Sequence, residues 1–221
     1  MKLTWSGKIV FWGCLWGFGF LILAILLEPT PENYTLGISI TLSGLYTWLL
    51  SITRNLWIKR LSNKPIRNAI LIGSLNAAVV ETIFLIVEKS LGASGVAAHP
   101  NLLVDLLLTM PWYIGMVWIF VRVQHQEQFP AGVVLLLGAI YELGADGIIG
   151  GLILPALMGT LPNLLEYAIL MGLGMFWQFI PVYSSIVLPP AWVLDQVDQT
   201  EIPKQKRWIR GLFPLLLLIP F

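Results

Sequence analysis

The chain has 221 residues, 57% hydrophobic and only 11% charged, with a mean hydropathy of +0.81. A soluble domain carries about a quarter charged residues, so a soluble globular fold is excluded, and a net charge of +1 gives no basis for binding nucleic acid. Cys14 is the only cysteine, so no intrachain disulfide or cysteine metal cluster can form, and His99 and His125 lie just outside the apolar blocks.

Those blocks are long and unbroken, the pattern of membrane-spanning helices. Six spans are read, at 9–28, 34–53, 68–88, 101–121, 131–154 and 164–188, in one all-α polytopic membrane domain over 1–221. The first follows Lys2 and Lys8 as the core of a signal peptide would, but its exit "EPTPENYT" has no small-residue cleavage pattern, so it is read as a helix. The last stretch, "GLFPLLLLIPF" (211–221), is too short to cross about 30 Å of hydrocarbon and contains two prolines. It is expected to lie in the interface or to dip in partway. Connections are short, and no linker marks a second domain.

Basic residues choose the orientation. Lys2, Lys8, Arg54, Lys59, Arg60, Lys64, Arg67, Arg122, Lys204, Lys206, Arg207 and Arg210 fall on the side of the N-terminus, and Lys89 alone falls opposite. The positive-inside rule makes this an integral multi-pass protein with both termini cytoplasmic.

The orientation gives each acid a depth. Glu81 falls in the outer half of the third span, Asp105 in the first turns of the fourth, Glu142 near the middle of the fifth with Asp146 one turn further out, and Glu166 at the outer end of the sixth. No Lys or Arg lies within these spans to neutralise them. Residues four apart share a helix face, so Gly138, Glu142 and Asp146 align, as do Asp105, Thr109 and Trp112, and Ser74, Ala77, Glu81 and Glu88. Three ionised acids facing lipid would cost on the order of 10 kcal/mol, so they are expected to face inward, to be hydrated or to be protonated. A cavity shared by spans three to six accounts for them together. Glu142 and Asp146, about 6 Å apart on a helix, would repel if both were ionised, so one is expected to keep its proton beside an ionised neighbour.

Other roles remain open at this point. Asp105 can serve only to hydrogen-bond a neighbouring helix, and Glu166 can sit among headgroups and favour its helix N-terminus. Glu88 is read as a solvated end residue. Trp5, Trp57 and Trp208 read as interface anchors, whereas Trp112, Trp118 and Trp177 sit within spans. Pro111 is expected to loosen its helix and free a carbonyl near Asp105. The candidate catalytic residues are therefore Glu81, Asp105, Glu142 and Asp146. Candidate ligand-binding residues are Asn76, Thr109, Trp112, Tyr113, Trp118, Tyr141, Glu166, Trp177 and Gln178. No nucleotide or metal motif is present, "HPNLLVD" being too little for a metal site, so no cofactor is expected.

Several of these stretches resemble the emopamil-binding-protein family, the EXPERA-domain membrane proteins that include sterol isomerases and amphiphile binders. "VVETIFLIVE" (79–88) resembles its acid-bearing helix. "VDLLLTMPWYIGMVWIF" (104–120) is similar to the next, with Asp105 followed by Trp112 and Trp118. "GAIYE" (138–142) and "MFWQFIP" (175–181) are similar to the two after that. The resemblance covers about 120 residues of the chain and implies a helix bundle with an acid-lined lipid pocket. The sequence departs from it where the isomerases hold a His used in proton transfer, here Ala77, and where they hold an Asn before the last Trp, here Gly174. Both departures count against Δ8–Δ7 sterol isomerisation. The size, span number and intramembrane acids also resemble the integral-membrane terpene cyclases.

The expected ligand is thus a hydrophobic small molecule or lipid taken from the bilayer. The leading function is isomerisation or cyclisation of an isoprenoid or sterol-like lipid by protonation and carbocation stabilisation. A non-enzymatic binder of a cationic amphiphile or lipid, and a proton- or cation-coupled transporter, are the alternatives. Against transport, the half of the bundle on the N-terminal side offers little polar continuation beyond Asn76 and Gln178.

Overall fold

The computed structural model describes residues 4–61, 63–160, 163–196 and 208–218. Lys2, Lys204, Lys206 and Arg207, counted for the orientation, and the end of the last apolar stretch lie outside them. The helices are α1 (Trp5–Leu27), α2 (Pro31–Ile52), α3 (Arg54–Leu61), α4 (Pro65–Leu91), α5 (Leu102–Glu127), α6 (Ala131–Glu142), α7 (Leu154–Leu157), α8 (Leu164–Leu170) and α9 (Phe176–Leu194). A π-helical stretch, Leu143–Ile153, joins α6 to α7, and a shorter one, Met171–Met175, joins α8 to α9. A 3₁₀ strap, Trp208–Leu218, follows. Six runs are long and apolar enough to cross a membrane, which makes this an all-α polytopic membrane bundle.

Local chemistry sets where the helices begin. Thr30 Oγ1 accepts the Asn33 N–H at 3.2 Å, with Pro31 at the first helical position of α2. Asn101 and Asn163 cap α5 and α8 in the same way. Hydropathy underestimates some ends: α5 continues to Glu127 because Val121, Val123, Gln124 and Glu127 still turn a buried face inward. The basic connection after α2 folds as α3, with Ile58 buried and Trp57 packed on Trp192 at a ring separation of 6.3 Å.

The bundle is built around α9. Every residue from Gln178 to Leu194 is buried, and α1, α2, α4, α5 and α6 all pack on this helix. Its prolines shape what surrounds it. Pro189 has no N–H, so the Ser185 carbonyl one turn earlier loses its helical partner. The Asn76 side chain of α4 donates to that carbonyl at 2.7 Å, and the Tyr46 hydroxyl of α2 donates to Asn76 Oδ1 at 2.8 Å. One missing backbone donor thereby ties α2, α4 and α9 together. On the other flank, α1 buries Ser6, Val10, Gly13, Gly17 and Leu21. A side chain at Gly13 would collide with the Trp177 ring, and a Cβ at Gly17 would lie 2.9 Å from that of Trp177. The small residues let the two backbones approach.

Helices α5 and α6 meet through the Phe120 and Tyr141 rings, 6.2 Å apart, and the strap packs against both helices. It starts at the N-terminal side, where Arg210 Nη1 donates to Glu127 Oε1 at 3.0 Å and the Tyr141 hydroxyl donates to the Gly211 carbonyl at 2.6 Å. It then climbs until Leu217 rests against Gly115 and Leu215 and Leu218 rest against Gly144. Residues Trp208–Leu218 thus pack within the bundle, against α5, α6 and the π-helical stretch.

Candidate functional site

Four helices bring polar side chains together about halfway along the bundle. Glu81 comes from α4, Trp112 and Tyr113 from α5, Glu142 from the last turn of α6 and Tyr183 from α9. Asp146 follows in the π-helical stretch, whose sequence holds Gly144, Gly147, Gly150 and Gly151. π-Helical turns are rare and tend to occur at functional sites.

The contacts form a chain. The Tyr113 hydroxyl donates to Glu81 Oε1 at 2.5 Å. The rings of Tyr113 and Tyr183 lie 5.9 Å apart. Trp112 Nε1 reaches the Tyr183 hydroxyl at 3.4 Å, and Glu142 lies within electrostatic reach of Tyr183. Asp146 lies within electrostatic reach of Glu142. The charges felt at Glu81 are those of Asp105 and Asp146, and at Glu142 those of Asp146 and Glu81. The site thus gathers acids with no cation among those neighbours. Glu142 is only 6% exposed, whereas Asp146 is exposed and marks the open side of the group. Of the three options expected for an intramembrane acid, Asp146 is left with hydration or protonation.

Other residues singled out by sequence stand elsewhere. Asp105 is fully buried and within electrostatic reach of Glu81, but its Oδ1 accepts the His99 N–H at 3.0 Å, and its Oδ2 has no hydrogen-bond partner. Thr109 is half-buried, with its hydroxyl on the Asp105 carbonyl. Trp118 is 47% exposed beneath Arg122, which lies 5.0 Å from its ring. Tyr141 holds the strap, Asn76 holds the Ser185 carbonyl, and Trp177 seats α1, with Gln178 buried beside it. Glu166 is exposed in the first turn of α8, on the Asn163 cap. Glu88 differs from its expected place as a solvated end residue: it is buried, and its carboxylate accepts the Ala97 N–H. The connection after α4 folds back over that end and needs an acceptor there.

Sequence reasoning missed Tyr183, the link between the two acid groups. Its signal was the continuous apolar run of the last span. A helix buried on every side leaves a tyrosine hydroxyl no water, so it must find a polar partner inside. No family model, curated protein or solved structure matches the chain.

Proposed function

We propose that this protein is a membrane-embedded enzyme that isomerises or cyclises an isoprenoid or sterol-like lipid, with both termini in the cytoplasm. The observation that supports the reading is the gathering of Glu81, Glu142 and Asp146 beside Tyr113 and Tyr183, with no cation among the described charges felt at Glu81 and Glu142. The Glu142 and Asp146 pair gives a proton to an alkene or epoxide of the bound lipid. The rings of Trp112, Tyr113 and Tyr183 and the nearby carboxylates stabilise the cation that forms. Loss of a different proton to Glu81, whose partner Tyr113 orients it, completes the rearrangement with no net change in protons. The test is mass spectrometry of lipids extracted with the purified protein and of isoprenoid and sterol-like lipids incubated with it. A product formed by the native chain and absent with Glu142→Gln supports the enzyme; a lipid bound and recovered unchanged by both supports a binder.

A second reading, proton-coupled transport, draws on the other polar feature of the core. Thr35, Ser39, Ser43 and Thr47 form a buried file along α2, and the Thr47 hydroxyl meets that of Ser184 at 2.6 Å. The hydroxyls of Ser39, Ser43, Ser74 and Ser185 have no partner. The file runs from the side opposite the N-terminus to the level of Asn76, which Tyr46 meets. Proton flux into liposomes carrying the protein decides: flux abolished by Asp146→Asn favours transport, and none in the native chain removes it.

A further inference from the structure

Two hollows lie away from the acids, along the outward side of α1. One, of about 580 Å³, is walled by Trp5, Trp12, Trp16 and Trp177 and has Lys8 at its edge. The next, also about 580 Å³, shares Trp12 and Trp16 with it and continues past Gly19 and Phe20 to Leu23. Together they make one trough. From Lys8 to Leu23 it runs about 22 Å at the helical rise, comparable to one leaflet of hydrocarbon with its headgroup region.

Its construction is asymmetric. Only the Lys8 end carries a charge, and no carboxylate lines either hollow. Lys8 is exposed, and no ion-pair partner is described for it. The middle is apolar and aromatic. Trp177 forms one wall because Gly13 and Gly17 admit it, and the Trp16 indole N–H is held by the Leu173 carbonyl, so α1 and α9 fix the walls from both sides. At Gly19 a side chain would meet nothing within 4 Å, so the trough is open there.

The geometry points to a binding site for one anionic phospholipid, its phosphate on Lys8 and an acyl chain lying past Trp12 and Trp16 toward Leu23. A long aromatic groove holds an acyl chain of any lipid; Lys8 at the headgroup end selects the anionic one. The site is separate from the acid cluster and does not depend on what that cluster does.

Native mass spectrometry of the full chain released from nanodiscs tests this, using phosphatidylglycerol and phosphatidylcholine with identical acyl chains. The native protein is expected to retain one phosphatidylglycerol in preference to phosphatidylcholine. Lys8→Gln is expected to lower that preference about fivefold, the effect of one cation at an anionic surface. Gly19→Leu, which has room to fold, is expected to lose the bound lipid of either kind. Equal retention of the two lipids by the native chain, or a preference unchanged in Lys8→Gln, overturns headgroup selection. Undiminished retention in Gly19→Leu overturns the placement of the chain.

Discussion

Glu88 and Asp105, at one end of the bundle, are as buried as Glu142 in its middle, yet their partners are of another kind. Glu88 accepts the Ala97 N–H and Asp105 accepts the His99 N–H, so both pin the connection between α4 and α5. An amide N–H does not give up its proton, and a carboxylate held that way is an anchor. Glu142 instead lies within electrostatic reach of a tyrosine and a second carboxyl, and Glu81 meets a tyrosine hydroxyl. Those partners share or transfer protons. The residue type is the same; the chemistry of the partner is what differs between the two groups, and on the proposed function it separates holding the fold from serving a reaction.

The sharpest way to break the comparison is to neutralise one member of each group without changing its shape. Glu142→Gln and Asp146→Asn keep hydrogen-bonding groups in place but cannot carry the proton. Lipid turnover is expected to fall about 10²–10⁴-fold, with thermal unfolding in detergent close to that of the native chain. Full turnover in either variant removes the acid pair from the mechanism.

The anchors are expected to respond in the opposite way. Glu88→Ala and Asp105→Ala each leave a backbone N–H buried without an acceptor, a loss of about 1–3 kcal/mol. Hydrogen exchange of Ala97 and His99 is expected to accelerate, while turnover per folded molecule changes by a few-fold at most. If Asp105→Ala instead abolishes turnover in a protein that still folds, Asp105 belongs with Glu81 in the site, and its free Oδ2 is the atom to ask about.

The bundle itself was legible in the sequence because the length and apolarity of a spanning segment are one-dimensional properties. The common face expected for Glu142 and Asp146 assumed α-helical spacing, whereas Asp146 falls in the π-helical stretch that follows Glu142. What could not be read was partner identity. Asn76 looked like a pocket residue because polar groups in spans usually are; its real demand comes from Pro189, more than a hundred positions away, which strands the Ser185 carbonyl. Trp177 reads as a pocket wall because it sits within a span, but that it would pack on α1, through Gly13 and Gly17, had no local signal. The π-helical stretch left only its glycines as a trace. Long-range pairing decides these cases, and no local period encodes it.

The tyrosines lie between the two kinds of partner. Tyr183→Phe removes the link between Trp112 and Glu142, and Tyr113→Phe removes the donor to Glu81. A hydrogen bond to a charged group is worth about 1.5–3 kcal/mol, so turnover is expected to fall roughly tenfold to a hundredfold in each. Steady-state rates measured on both variants show whether the two halves of the site act together: if they do, the double variant loses less than the product of the single losses.

Glu127 is the remaining buried carboxylate with a described charged partner, and it tests the anchor rule at its weak limit. It is 3% exposed, but Arg210, which meets it from the strap, is 38% exposed. Removing one partner of a fully buried pair costs about 3–5 kcal/mol. Here water already reaches the arginine, so Arg210→Gln is expected to cost no more than about 1 kcal/mol. The larger share of the strap's attachment then lies in the Tyr141 bond to the Gly211 carbonyl and in the leucines seated on Gly115 and Gly144. Hydrogen exchange across residues 208–218 reads both contributions, and Tyr141→Phe is expected to loosen the segment more than Arg210→Gln. The reverse order would mean that the ion pair is the latch, and that salt alone should release the strap from α5 and α6.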